Sequence, residues 1–358
     1  MQIDFHHAVT YVVSRLAGFT SEEASVIATA AQYVDDATHS GVIHFDNRAM
    51  YHRISSAHKT YDPDNLNNDD NTLVWLPFHF LPGNGGETKG KDPNGSFIEK
   101  LICRPDSPIA RDMLSAAFDD KNKDRALHRL GVAMHVFADT WAHQGFAGVL
   151  HNVNDVDNVK ELNVKSIFNS GIAGFLKEKV SDAVPAIGHG RAFSLPDYPF
   201  LEWSYTNYKN ATIKRSNTIF FMDAVKRMHE ELWRFKNPVG DYSPIAPNAL
   251  DQIRKNFIDF EDTDGGVRHR KWAHSIADGN FSFGREKIFY AEDGKYSWKA
   301  EALGTSSDMP VYVYSRPSPS NGEKGFLKSD WKLFHDAVQA HLHCVLHDIL
   351  PEYGICGG

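Results

Sequence analysis

The chain has 358 residues, 42% of them hydrophobic and 23% charged, with a formal net charge of −8 when histidine is counted neutral. That length supports one large domain or two with a substantial core, and the acidic balance implies no general affinity for nucleic acid. No apolar run approaches the roughly 20 residues of a bilayer-spanning helix, and the opening MQIDFHHAVTY lacks the basic start and apolar core of a signal peptide, so a cytoplasmic location is expected.

Cys103, Cys344 and Cys356 are scattered and form no Cys-x-x-Cys pair, so neither a disulfide framework nor a thiolate zinc site is indicated. Histidine is the unusual count at 19. A metal bound here therefore takes imidazole and carboxylate ligands, a donor set that suits zinc, manganese or iron.

Residues 5–17 carry Ala8, Val12 and Leu16 at helical spacing, with Gly18 as the C-cap. His6 and His7 are adjacent, so on a helix they point about 100° apart and only one readily serves a given site. Thr20 or Ser21 with Glu23 marks the start of a second helix running to about Ala37. It ends in Asp35 and Asp36, whose carboxylates oppose the helix macrodipole. A cation is the simplest compensation, and plain solvent exposure is the alternative. His39, His44, His52 and His58 follow closely, a density that predicts at least one ligand among them. Residues 59–72 read as a polar loop, TLVWLPFHFLPGNGG as a buried apolar run with His79 as its one polar tip, and IARDMLSAAF as a short helix.

Residues 125–143 then read as one largely apolar helix in which His135, Asp139 and His143 recur at intervals of four. Four residues overshoot a turn by about 40°, so the three share one face and climb about 6 Å per step. Asp139 lies between two imidazoles, its two oxygens able to meet ions on either side, and two ions bridged by a carboxylate sit about 3.5–4 Å apart. A carboxylate buried there is costly unless paired or bound to metal. The plain alternative is a His–Asp–His network that only fixes helix packing.

Residues 152–183 read as a mixed helical stretch. His189 stands between Gly188 and Gly190, and Asp197 between Pro196 and Tyr198, a braced loop suited to positioned ligands rather than a solvated linker. Residues 216–236 and 247–260 are amphipathic helices, and 288–314 hold possible short strands. Residues 328–350 form a closing helix that carries His335, His341, His343 and His347 and reads mainly as core packing, dominated by Leu333, Phe334, Val338, Leu342 and Val345.

With HVFADTWAH beside an N-terminal histidine cluster and a later histidine, the chain resembles the zinc-dependent phospholipase C and single-strand nuclease superfamily, in the branch of glycosylphosphatidylinositol-specific phospholipase D. MQIDFHH and the GHG…PD segment further resemble an uncharacterised bacterial family in that neighbourhood. The resemblance covers roughly residues 1–203 and implies an all-α fold, a multi-helix bundle around a metal cleft; the strand signals add minor β in the C-terminal third. One domain, 1–358, is expected, with 204–358 as a helical extension packed on the motif-bearing part. It also implies two or three zinc ions, with manganese or iron as chemical alternatives. His135 and Asp139 would hold the first, its shell completed by Asp35 or Asp36 with His58; His143, His189 and Asp197 would hold another; His6 or His7 would hold the third. Superfamily members begin with a tryptophan whose amine and carbonyl bind zinc, whereas this chain begins Met1-Gln2, which leaves Asp4 as a substitute.

The chemistry that follows is hydrolysis of a phosphodiester, in a lipid head group or a nucleotide, with Asp35 or Asp36 taking the proton and Trp75, Phe78, Phe80 and Tyr198 walling a small pocket. A non-catalytic protein whose metal holds a His-rich fold together is the rival. His335–Asp336 and His347–Asp348 evoke HD-type phosphohydrolases, but both lie on one helix, which ranks that reading low. Stable nucleic-acid binding is not expected, and oligomeric state is not legible.

Overall fold

The structure, a computed structural model, describes residues 1–58, 68–162, 188–316 and 325–356. Most of the polar loop at 59–72 and of the helical stretch at 152–183 lies outside the described residues.

DFHHAV, Asp4–Val9, forms a π-helical turn that runs into α1, Thr10–Leu16. α2, Ser21–Asp36, starts from a capping box in which the Thr20 hydroxyl accepts from the Glu23 N–H and the Glu23 carboxylate accepts from the Thr20 N–H. A hairpin pairs β1, Gly41–His44, with β2, Met50–Arg53. α3, Asn68–Phe78, precedes the short α4, Ile98–Leu101, and α5, Pro108–Asp119, which Ser107 caps. α6, Ala126–Ala142, ends with His143 as its C-cap. β3, Val156–Glu161, β4, Glu202–Asn207, and β5, Thr212–Ser216, make an antiparallel sheet in that order. α7, Asn217–Lys236, α8, Pro247–Asp259, α9, Gly265–Ala277, and α10, Trp298–Leu303, lead to α11, Asp330–His343, which continues as a π-helical turn to Ile349.

α6 is the axis of the fold. Every residue of it except Leu127 is buried, and it packs against α2, α5, α7 and α11. Gly131 makes the tightest of these contacts possible: a Cβ there would lie 2.5 Å from the Ile27 carbonyl oxygen and 2.6 Å from Ala30 Cβ. Gly131→Ala should therefore force α2 away and cost about 1–3 kcal/mol, as overpacking does, measured as the shift in urea midpoint. An unchanged midpoint would mean that α2 is free to yield.

The chain is helix-rich but not all-α. Residues 156–161, read as part of a helical stretch, are instead a strand, because β-branched Val156 and Val159 meet β4 across a register shift between Asp157 and Lys160. Among the described residues of the C-terminal third, β structure is confined to one parallel bridge between Phe45 and Tyr312. Pro310, with no N–H, limits the ladder on that side.

A second core cluster joins α2, the hairpin and α11. Within it His335 donates Nδ1–H to the Ile54 carbonyl at 3.2 Å and packs between Trp331 and Phe334. Burial, with Arg53 nearby, pushes its pKa down to about 3. A base whose folded pKa lies below its unfolded value of about 6.5 stabilises the fold above that pH, and the contribution fades as pH falls toward the folded pKa. Unfolding free energy should thus drop with acidification between pH 6.5 and 4, and His335→Leu should flatten the slope by up to about 1.4 kcal/mol per pH unit. Identical slopes in the two proteins would refute the assignment.

Candidate metal centre

α6 presents His135, Asp139 and His143 along one buried face, as the spacing predicts, with relative exposures of 0%, 1% and 4%. What converges on that face comes from four other parts of the chain. The π-helical turn brings His6, α2 brings Asp35, the residue after α3 brings His79, and the loop ahead of β4 brings His189 and Asp197. Three groups form in which one ligand atom from each member lies within 4.8 Å of the others: His6–Asp35–His135, His79–His135–Asp139 and His143–His189–Asp197.

Four of the histidines are held in the same manner. Each donates one ring N–H to a backbone carbonyl: His135 Nδ1 to Ala31 at 2.7 Å, His79 Nε2 to Ser56 at 2.9 Å, His143 Nδ1 to His79 at 2.6 Å and His189 Nδ1 to Phe193 at 2.6 Å. A carbonyl only accepts, so in each neutral ring the other nitrogen is left as a lone pair. That anchoring fixes the tautomer and orientation that metal-ligating imidazoles need.

The freed lone pairs then face acceptors. His135 Nε2 and His79 Nδ1 approach to 3.2 Å, and lie 3.3 Å and 3.5 Å from Asp139 Oδ2. Burial lowers the His135 pKa to about 4, so its Nε2 meets Asp139 as a lone pair at neutral pH. Across the centre, His143 Nε2 and His189 Nε2 stand 3.8 Å and 3.7 Å from the Asp197 oxygens. His6 stacks on His135 with ring centroids 3.9 Å apart. Among the described residues the buried ring nitrogens of His6 and Asp197 Oδ1 make no well-formed hydrogen bond, only the longer approaches of His6 Nε2 to Asp139 at 3.2 Å and of Asp197 Oδ1 to the Met1 ammonium at 3.4 Å. Loosely satisfied buried ligand atoms of this kind fit a cation.

The Met1 ammonium supplies one positive charge. It donates to Asp139 Oδ1 at 2.6 Å and lies 3.4 Å from Asp197 Oδ1. Burial alone would lower its pKa, but the carboxylates of Asp139, Asp197 and Asp35 outweigh burial and push it up to about 11. Asp4, expected to substitute for an N-terminal ligand, is committed to Arg268 instead. Burial, then repulsion from Asp139, holds Asp35 well above the usual carboxylate range. Its side chain is 31% exposed and that of His189 18% exposed, so the centre is most open on that side.

Three candidates stand apart. His7 points away from His6 and pairs with His269 at 2.8 Å, as adjacent helical positions require. Asp36 accepts from Gln32 at 3.1 Å and from the Tyr290 hydroxyl, which turns it away from its neighbour. Burial, only partly offset by those two hydrogen bonds, raises its pKa to about 6. His58 packs its ring edge on Trp75, 6.1 Å between centroids, and belongs to none of the three groups. His39, His44 and His52 are absent from them too, so the density of histidines between α2 and α3 does not mark ligands among the described residues. His79 occupies the place expected for His58. The sequence signal for it was a lone polar residue in a buried apolar run, which must find a partner.

Of the expected pocket wall, Phe80 stacks on His143 at 4.4 Å and Trp75 lies 5.0 Å from His79. Phe78 instead stacks on His341 in the second core cluster. Of the two His–Asp dipeptides, His335 bonds Ile54 and Asp336 pairs with Lys332 and Tyr51, away from the centre.

Fold and site together define a helix-rich protein with a buried histidine–carboxylate cluster able to hold metal. The chain belongs to DUF6765, a family of unknown function, which it matches over residues 1–349. That match runs past the motif-bearing part through α11. No curated protein and no solved structure matches the chain. No helix among the described residues is long and apolar enough to cross a membrane.

Proposed function

We propose that this protein is a metal-dependent phosphodiester hydrolase carrying two or three ions, zinc first among them, of the phospholipase C and nuclease type that its motifs resemble. The observation that supports it best is the pair of backbone-anchored imidazoles, His79 and His135, aiming lone pairs at each other and at Asp139. Asp139 also turns its second oxygen to Met1 and to His6 Nε2, 3.2 Å away, so it faces two groups of ligands at once. A bridging carboxylate is the simplest use of that position.

In this reading His79, His135 and Asp139 would hold one ion, His143, His189 and Asp197 a second, and His6 with Asp139 a third. When bound, such ions lower the pKa of a water toward neutrality and polarise a phosphoryl group. The chain's own residues do the rest. Asp35, partly exposed and 3.9 Å from His135 Nε2, would be the carboxylate placed to accept the proton of an attacking water. Asp36 is too firmly held by Tyr290 and Gln32 for that task. Phe80 and Trp75 shield the histidines from bulk water and hold their ring planes. The partial exposure of Asp35 and His189 favours catalysis over a closed structural site, which leaves no open coordination position. The test is turnover of phosphodiesters by the metal-loaded protein, with Asp139→Asn as the silent control.

A further inference from the structure

From the C-terminal part of the chain, Arg268 reaches the turn that carries His6. Arg268 of α9 is fully buried and grips Asp4 with both arms of its guanidinium, Nε to Oδ2 at 2.7 Å and Nη2 to Oδ1 at 3.0 Å. The same Nη2 donates to Gln2 Oε1 at 2.7 Å, and Nη1 donates to the Asp262 carbonyl at 2.5 Å. The guanidinium also lies over the ring of Tyr198, 5.6 Å from its centroid.

These contacts have a common geometry. Asp4 opens the π-helical turn that carries His6, and Tyr198 follows Asp197. α9 packs along that turn, and a side chain at its first residue, Gly265, would strike Gln2 Oε1 at 2.7 Å. His6 is not tied to a backbone carbonyl as the other four histidines are; it meets the centre through Asp139 Oδ1, 3.2 Å from its Nε2, and by stacking on His135. Its reach to both is set by the turn beneath it. A bidentate arginine–carboxylate pair supplies both energy and direction, which a lysine at the same place does not.

We propose that Arg268 is a positioning residue for the metal centre: through Asp4 and Gln2 it sets the π-helical turn so that His6 meets Asp139, and through Tyr198 it braces the Asp197 loop. The proposal rests on the metal-centre reading above, and zinc uptake by the unaltered chain tests that reading separately. Zinc is titrated into the chelator-stripped full-length chain by calorimetry, with bound metal counted by elemental analysis. The wild type should take up two or three ions. Arg268→Lys should keep the circular dichroism of the folded chain at a somewhat lower metal-free melting temperature, and bind one ion about 10- to 100-fold more weakly while the others bind as before, the usual effect of losing a supporting contact behind a ligand. His6→Ala should weaken that same ion, and adding Arg268→Lys to it should change little more, because the two act on one ligand.

The neutral pair Asp4→Asn with Arg268→Gln removes the charge issue and should behave as Arg268→Lys does. Unchanged zinc affinities in both variants overturn the proposal, as do effects of His6→Ala and Arg268→Lys that simply add. So does failure of both Arg268 variants to fold, which makes the clamp a folding element. A wild type that binds no zinc overturns the centre itself.

Discussion

Replacing Asp139 by asparagine is expected to lower the unfolding free energy by about 3–5 kcal/mol, the range for a buried ion pair broken on one side. Asparagine keeps the shape of the side chain and loses its charge. The Met1 ammonium, 2.6 Å away and fully buried, then loses its nearest counter-charge, and any cation held by His6, His79 and His135 loses the carboxylate they share. Removing metal from the wild type with a strong chelator should destabilise it in the same direction, because the lone pairs of His79 and His135 are then left facing each other. Any ligand bound at a thousand times its Kd adds about 4 kcal/mol to the folded state. Melting temperature and urea midpoint, read beside elemental analysis, check both. A melting temperature indifferent to confirmed metal loss would make the cluster a self-sufficient hydrogen-bond network.

The helical row of His135, Asp139 and His143 was legible because period and burial act within one helix, where spacing alone decides who shares a face. The braced loop was legible for a similar local reason: Gly188 at φ 50° and Pro196 hold His189 and Asp197 in shapes that regular structure does not provide. Choices between neighbours were not. His6 versus His7 and Asp35 versus Asp36 differ only in which way a helix is rolled, and the rolling is set by partners far along the chain. His269 and Tyr290 take His7 and Asp36; α6 takes the other two.

The contribution of the C-terminal part was hidden for the same reason. Arg268 on a helix surface reads as a solvated charge until Asp4, 264 positions away in sequence, is found against it. The β3–β5 sheet depends on pairing between segments about 40 residues apart, and its alternation in Glu202–Asn207 is short enough to pass for loop. His79 follows a helix that ends just past Pro77, where periodicity no longer says which way a side chain points.

The metal-loaded protein is expected to hydrolyse a phosphodiester, and Asp139→Asn is expected to reduce that turnover to background while also lowering metal content. Both follow from one position: the carboxylate stands between two ligand groups and cannot be replaced by a neutral amide without loosening the ions on either side. His343→Ala is the matched control. That ring is exposed on α11, tilted against His347 at 4.9 Å, and stands outside the three ligand groups found among the described residues. It should leave metal and turnover intact. The assay is a panel of a chromogenic phosphodiester, phosphatidylcholine and single-stranded DNA, each with zinc and with manganese. A chromogenic ester cleaved alone would point to a small substrate, and cleavage of the lipid to a head-group enzyme. Full metal occupancy without turnover on any substrate would transfer the protein to the class in which the ions only hold the fold together. Turnover that survives Asp139→Asn would mean that the reaction does not run through the carboxylate that His6, His79 and His135 approach most closely.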